Sequence, residues 1–403
     1  MPHKPFHLFP RKNSKGKNIW YVRFYDDAGN RMTARSTGQT SKAAAETWAH
    51  EQLKKGIIPT EKNITFSKFS ENFWIWDTCT YVKNRRRRGA NISQTYTERM
   101  RGLLIHHILP HFKDKKLQKI KSRTIENWLD ELSMKKKGTG ELISPTTVNR
   151  CLTCLKIMLK EAVRLDYLLK SPADGIKQFR ESPKKKSILT MVEVRALFQY
   201  DRIKEVWGGD LKHYTANLLA ATSGMRLGEV QALQIQNVHP EYVSVNYNWD
   251  YKYGLKEPKW RSYRNIPIPT KTRKYLYDLI ITSPFQEPDD FIFYGVDRKI
   301  PIWGKHVLTI LYNALEIIGV SPDQRKERNI TFHSWRHFYN TMLRASGIHD
   351  AKLRLLTGHR SEQMTDRYTT FNLEDFRDVL QIQENMFNMG HIPNFHTSID
   401  SSL

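Results

Sequence analysis

The stretch from about residue 64 to 180 restricts the fold most, because it repeats a single pattern. FSKFSENFWIWD, SQTYTERMRGLLIHHILPHF, SRTIENWLDELSM and SPTTVNRCLTCLKIMLKEAVRLDYL each place apolar residues three and four apart. That is the period of a helix with one buried face, so the module reads as all helix. Helix starts are expected at Ser93, Ser122 and Ser144, where a hydroxyl can accept from a free N–H of the first turn. Pro145 follows the last of these, at a position where its missing N–H costs nothing. KNRRRR (83–88), between the first two helices, reads as a solvated loop or a phosphate contact. SPADG (171–175) ends the last helix. The polar, charged ESPKKKS (181–187) is the best domain boundary.

A smaller module precedes this one, from 1 to about 60. IWYVRFYD (19–26) alternates apolar and polar residues, as a half-buried strand does. DAGN (27–30) is turn chemistry, and RMTARSTG (31–38) reads as the returning strand of a hairpin. Thr40 or Ser41 can cap a helix over KAAAETWAHEQLKKG, closed by Gly56. Residues 1–60 hold 11 Lys/Arg against 4 Asp/Glu, a net of +7. A small basic sheet backed by a helix can lie in a DNA groove, or be simply a solvated face. The third module runs from 188 to 390, with 391–403 as a tail. In it helices alternate with a short β region, YVSVNY (242–247) and YRNIPI (263–268). The stretch 373–403 has 5 acidic residues against one basic, a poor DNA ligand. Phe376, Val379 and Leu380 there look like a helix face that docks on protein. The expected fold class is α+β multidomain, mainly α with small β regions.

Composition narrows the partner. Lys and Arg number 65 and Asp and Glu 41, a formal charge of +24. An excess of this size attracts polyanions, and each cation laid on a DNA phosphate releases a counterion. Hydrophobic residues at 39% are enough for real cores. No apolar run approaches the roughly 18 residues of a membrane span. The N-terminus lacks a continuous apolar signal region, and three cysteines are too few for a disulfide scaffold. A membrane protein, a secreted mini-protein and a collagen-like chain are excluded. A soluble protein of a reducing compartment is expected.

Four segments of the third module set polar residues in apolar surroundings. In TSGMRLGEV (222–230), Arg226 sits at a helix start where free N–H groups point outward, and Glu229 lies on the same face. In TFHSWRHF (331–338), His333 and Arg336 share one helix face and can reach one set of phosphate oxygens. In LLTGHRSEQMTDRYTTF (355–371), Gly358 ends a helix and Ser361 can cap the next, so that His359 and Tyr368 can approach one point. In GLKEPKWRSYRNIPIP (254–269), Lys256 and Lys259 precede a strand in a β-turn. Taken singly, a surface salt bridge or a capped amphipathic helix explains each.

In this order the set resembles the tyrosine recombinase (phage-type integrase) family. The resemblance covers the third module and extends to the second, which looks like the family's helical core-binding domain. The first resembles the small arm-binding domain of mobile-element integrases, a three-stranded sheet plus a helix. By this resemblance Tyr368 would attack the scissile phosphorus and form a 3′-phosphotyrosyl link. Arg226 and Arg336 would grip the non-bridging oxygens, where charge grows in the transition state. His333 would help accept the tyrosine proton, His359 would donate to the phosphate, and Lys259 would protonate the departing 5′ oxygen. Glu229 would support this set from behind. No cofactor or metal is implied, since cationic side chains replace Mg²⁺. Implied partners are double-stranded DNA at crossover and arm sites, three further copies in a synapsed homotetramer, and host DNA-bending and directionality factors. Implied location is the cytoplasm of a bacterial cell. One departure stands out: Trp260 follows Lys259, where relatives often carry Thr or Gly, which keeps Lys256 in play. A type IB topoisomerase and a DNA-binding protein without catalysis are the rival readings.

Other residues invite a metal and are set aside. Pro110 is expected to interrupt the helix among His106, His107 and His111, and no cysteine or carboxylate set completes a site. Cys151 and Cys154 share a helix face and look like core thiols. The charge makes one expectation measurable. Affinity for duplex DNA of unrelated sequence should fall by about 10³-fold or more between about 50 and about 200 mM salt. A gel-shift titration insensitive to salt would count against polyanion binding.

Overall fold

The computed structural model describes residues 5–13, 16–25, 31–32, 34–54, 64–136, 138, 140–168, 170–181, 187–199, 202–358 and 376–387. The chain divides into two compact units, Met1–Pro183 and Lys184–Leu403. Most of the described residues are helical, with four small antiparallel sheets. Among the described residues no helix is long and apolar enough to cross a membrane.

The first unit opens with a three-stranded sheet in the order β1 (Phe6–Lys12), β2 (Asn18–Phe24), β3 (Arg35–Ser36). Phe6, Val22 and Phe24 meet Ala49 of α1 (Lys42–Lys54), forming a small core. Ser41 caps α1, its hydroxyl accepting from the N–H of Ala44. The segment read as the returning strand is short here, and the long partner of β2 is β1 instead. Pro10 hides β1 from a pattern search, yet is tolerated because β1 is an edge strand. The DAGN turn and Gly56 lie outside the described residues.

The helical part follows as α2 (Phe66–Ser70), α3 (Thr80–Arg87), α4 (Gln94–Leu103), α5 (Leu109–Phe112), α6 (Ser122–Met134) and α7 (Pro145–Arg164). Their apolar stripes close on one core that includes Trp74, Leu104, Phe112, Trp128 and Leu155. Ser93 and Ser144 cap α4 and α7 as their sequences predict. Four expectations are corrected. The first predicted helix stops at Ser70 and gives way to turns. KNRRRR is helical, forming the last turns of α3, and Arg86 lies 4.2 Å over the Trp76 ring. Lys121 takes the cap position of α6, because the Ser122 hydroxyl donates to the Pro172 carbonyl (2.7 Å). Pro110 does not break its helix. A π-turn over Leu104–Ile108 leads directly into α5, and the wider turn absorbs a residue that has no N–H to give. Cys151 and Cys154 are fully buried, and burial pushes both thiols up to about 12.

The second unit is built around α10 (Leu211–Ser223), buried on all sides. Its many small residues let neighbours approach from every direction. Before it come α8 (Met191–Phe198) and α9 (Ile203–Trp207); after it come α11 (Leu227–Gln231), β4 (Tyr242–Val245), β5 (Asn248–Asp250), β6 (Gly254–Lys256) and β7 (Arg264–Pro267). Then follow α12 (Thr270–Thr282), β8 (Tyr294–Asp297), β9 (Ile300–Pro301), α13 (Gly304–Ile317), α14 (Pro322–Glu327), α15 (Ser334–Ala345), α16 (Asp350–Thr357) and α17 (Arg377–Phe387). The two predicted strands pair antiparallel as β4 and β7, with Val243 opposite Ile266.

The helix α17, with Phe376 just before it, packs on this unit's own core through Phe376, Val379 and Phe387. The face expected to dock on protein therefore finds its protein in the same chain. Gln383 anchors it, its amide donating to the carbonyls of Thr222 (2.6 Å) and Pro267 (3.2 Å). Glu384 accepts from the N–H and hydroxyl of Thr270, and Lys352 pairs with Asp378 at 2.7 Å. Removing the Gln383 amide leaves two buried carbonyls short of a donor. Gln383→Ala should cost the second unit about 2 kcal/mol, read as a lower urea midpoint. An unchanged midpoint would show that α17 is held by its apolar face alone.

Candidate active site

Arg226 stands where two helices meet. α10 ends at Gly224, whose φ of 65° is left-handed, and Arg226 caps the start of α11. A side chain at Gly224 would be strained twice, since its Cβ would also lie 2.6 Å from the Tyr339 ring. Gly228, on the first turn of α11, is pressed against β5, with the Trp249 carbonyl 2.7 Å from where a Cβ would sit. These contacts fix the direction of α11 and hence of Arg226 and Glu229.

Glu229 is the buried hinge of the cluster. One oxygen accepts from the Arg226 Nη1 (2.7 Å) and the other from the Arg226 backbone N–H (2.9 Å). Arg264 approaches the same carboxylate, with Nη2 at 2.7 Å from Oε2 and Nη1 at 3.4 Å from Oε1. Burial alone would raise the Glu229 pKa. The charges and hydrogen bonds of Arg264 and Arg226 outweigh that and hold it below the ordinary carboxylate range.

Arg336 lies on α15 and is 1% exposed. It donates to the carbonyl of Gly224 (2.9 Å) and to that of Thr357. Burial first, and the like charge of Arg226 next, push its guanidinium down to about 9. It is still a cation at neutral pH. His333, at the N-cap of α15, is exposed and sits edge-on to His337 with centroids 5.0 Å apart.

The lysines separate. Lys256 ends β6 and pairs with Asp250. Lys259 opens a short 3₁₀ turn, exposed, with its ammonium 5.7 Å from the Trp260 ring. Trp260 and Arg261 both have left-handed φ, 65° and 53°. The turn abuts the end of α16. There Gly358 is left-handed too, and its Cβ would lie 2.8 Å from the Ser262 hydroxyl. Arg264 donates from Nε to the Leu356 carbonyl (2.7 Å) and from Nη1 to the Ser262 carbonyl (3.1 Å).

The four segments singled out in the sequence therefore meet. Arg226, Glu229, Arg336 and the turn of Lys259 are joined through direct contacts that reach as far as Gly358. His359 and Tyr368 lie outside the described residues. Sequence reasoning misses Arg264, although a signal is present. It shares strand parity with Ile266 and Ile268, both buried, so the alternation places a guanidinium on the inward face. Chemically the cluster sets three guanidiniums against one carboxylate, two of them almost fully buried, and that surplus suits a phosphodiester.

Two family models match the chain. Residues 188–374 match the phage integrase family, and residues 80–133 match the phage integrase N-terminal SAM-like domain. A curated tyrosine recombinase of Thermosipho africanus is 24% identical over 292 residues, 72% of this chain and 91% of that protein. The Tn1549 transposon integrase, solved with transposon right end DNA, shares the fold at a TM-score of 0.57. It has 19% identity and covers 79% of this chain and 99% of its own. Lambda integrase, solved as a tetramer on a Holliday junction, gives 0.52, with 16% identity and 92% and 98% coverage.

Because the Glu229 pKa is lowered in the folded state, its stabilisation is present above about pH 4.5 and lost as pH falls through the lowered value. Glu229→Gln should cost about 3 kcal/mol at pH 7, and the gap to the parent should narrow below pH 4.5 as the parent's carboxylate is protonated as well. Urea midpoints at several pH values check this. A gap constant with pH would remove the buried charge from the explanation.

Proposed function

This chain belongs to the phage integrase family and is a site-specific tyrosine recombinase, and we propose that it integrates and excises a mobile element through a 3′-phosphotyrosyl link at Tyr368. The observation that carries the assignment of residues is the seating of Arg336. A buried guanidinium beside a second one, its orientation fixed by two carbonyls, is built to receive an anion.

In the proposed step the Tyr368 oxygen bonds to phosphorus and the P–O5′ bond breaks. Arg226 and Arg336 hold the non-bridging oxygens. His333, exposed at the start of α15, helps accept the phenol proton, and His359 donates to the phosphate. Lys259 gives a proton to O5′. The pairing of Lys256 with Asp250 favours Lys259 for this task, since an ammonium already held by a carboxylate is less available to a developing alkoxide. Glu229 orients Arg226. The link keeps the energy of the phosphodiester, so rejoining needs no ATP.

The domain assignment follows the same reading: 1–60 for arm sites, 64–180 and 188–390 for the crossover site, and 391–403 as a tail. The sheet of the first module supports the arm role. Its helix-facing side carries Phe6, Val22 and Phe24. The other side carries His7, Phe9 and Arg11 opposite Arg23, Tyr21 and Ile19. Arg11 and Arg23 lie over the Phe9 ring at 5.3 and 5.4 Å. Cations interleaved with aromatics on a sheet face suit a DNA groove. By analogy with lambda integrase, four copies act on a Holliday junction; host DNA-bending and directionality factors, implied by the family resemblance alone, assist. In that assembly the acidic C-terminal stretch docks on a neighbouring copy, which requires α17 to exchange its partner.

A nicked suicide duplex tests the nucleophile. The parent chain should become covalently attached to DNA, and Tyr368→Phe should lose the adduct by about 10⁴-fold or more while binding duplex normally. An adduct that survives in Tyr368→Phe would transfer the role to another residue. Relaxation of plasmid that lacks any attachment site would favour a topoisomerase.

A further inference from the structure

We propose that Arg264 is a positioning residue that locks the turn bearing Lys259 in register with the arginines that hold the phosphate. It rests on the reading of Lys259 as the donor to the leaving oxygen. Arg264 sits on β7 with its side chain 5% exposed. One guanidinium makes contacts in three directions. Nη2 and Nη1 face Glu229, which holds Arg226 on its other side. Nη1 also reaches the Ser262 carbonyl, and Nε reaches the Leu356 carbonyl, two residues before Gly358. The phosphate-gripping side, the lysine turn and the end of α16 thus hang on one planar group.

The turn needs such a tether. Two consecutive non-glycine residues, Trp260 and Arg261, hold left-handed φ, a conformation that persists only when its surroundings impose it. The fastenings seen at Ser262 are its hydroxyl to the Lys259 carbonyl (2.9 Å), its carbonyl to Arg264, and the close contact with Gly358. Lys259 itself is exposed on a long, flexible stem. Its ammonium meets O5′ only if the turn is held where the phosphate is. A lysine at 264 keeps the charge beside Glu229 but has no fork to hold the two carbonyls.

The step at issue breaks P–O5′ while a proton passes from the Lys259 Nζ to O5′. A duplex in which sulfur replaces the bridging O5′ removes the need for that proton, because a thiolate leaves unprotonated. On the oxygen duplex the full-length chain carrying Arg264→Lys should cleave about 10-fold slower, and Lys259→Ala about 100-fold slower. On the sulfur duplex each should come within about 3-fold of the parent, since only the proton donor's contribution is bypassed. Equal loss of Arg264→Lys on both duplexes, or no loss on either, overturns the positioning role. A failure of the sulfur duplex to rescue Lys259→Ala overturns the lysine assignment instead, and the two results are read separately. Should Arg264→Lys not fold, Arg264→Gln, which leaves Glu229 and its contacts with Arg226 in place, is measured by the same ratio, with thermal melting as the folding control. For that variant, loss of rescue decides against the proposal in the same way.

Discussion

A single buried carboxylate organises the second unit. Glu229 has no exposed side-chain surface, and an ionised carboxylate so placed loses several kcal/mol of hydration. That loss is bearable only with cations in direct contact, and Arg226 and Arg264 supply them from two different elements. The arrangement then has a consequence beyond its own neutrality. Arg336 packs close enough to feel Arg226 as a like charge, so three guanidiniums surround one carboxylate. The cluster keeps a surplus of positive charge in a region with little water, where a charge acts more strongly than at the surface. A phosphodiester is the natural complement of that surplus.

The backbone around the cluster is specialised to the same end. Helices α10 and α16 both terminate in left-handed glycines, at Gly224 and Gly358, and the carbonyls just before or at those caps are the ones that receive arginine hydrogen bonds. A helix end leaves carbonyls without intrahelical partners. Here those spare acceptors become the seats of Arg336 and Arg264. The same two glycines let Tyr339 and Ser262 come within contact distance, so cap, packing and cation placement are one structural decision.

Much of this was legible in the sequence, for identifiable reasons. Gly224, Arg226 and Glu229 lie within six residues of each other, so helix-cap chemistry alone brings them together. His333 and Arg336 are three apart on one helix. What sequence periodicity does not carry is contact between distant segments. Arg264 is 35 residues from Glu229 and 92 from Leu356, and only the folded chain reveals that they touch. The hairpins β5–β6 and β8–β9 carry no sequence signal, because strands of two to four residues hold too few positions to establish alternation. The loop reading of KNRRRR fails because four successive arginines suggest solvation, whereas arginine is a good helix former and Val82 supplies the buried contact that anchors α3. Of the functional set, His359 and Tyr368 rest on the sequence alone.

The burial of Arg336 bears on both stability and the proposed function. A guanidinium held down to about 9 is less comfortable charged in the fold than in water, so the free protein carries a strained cation at neutral pH. An apolar residue of similar size would pack there without that strain. In the proposed role a phosphate relieves that cost, and the relief is greatest where negative charge on the phosphorus oxygens is greatest, in the pentavalent transition state. Hydration energy has already been surrendered during folding, so little solvent has to be reorganised when DNA binds. If DNA meets Arg336 as proposed, linkage requires the same relief to appear as stabilisation of the second unit by bound DNA, separate from the counterion release that the overall charge provides. The two contributions respond differently to salt, since exposed lysines and arginines are screened and a buried guanidinium is screened far less.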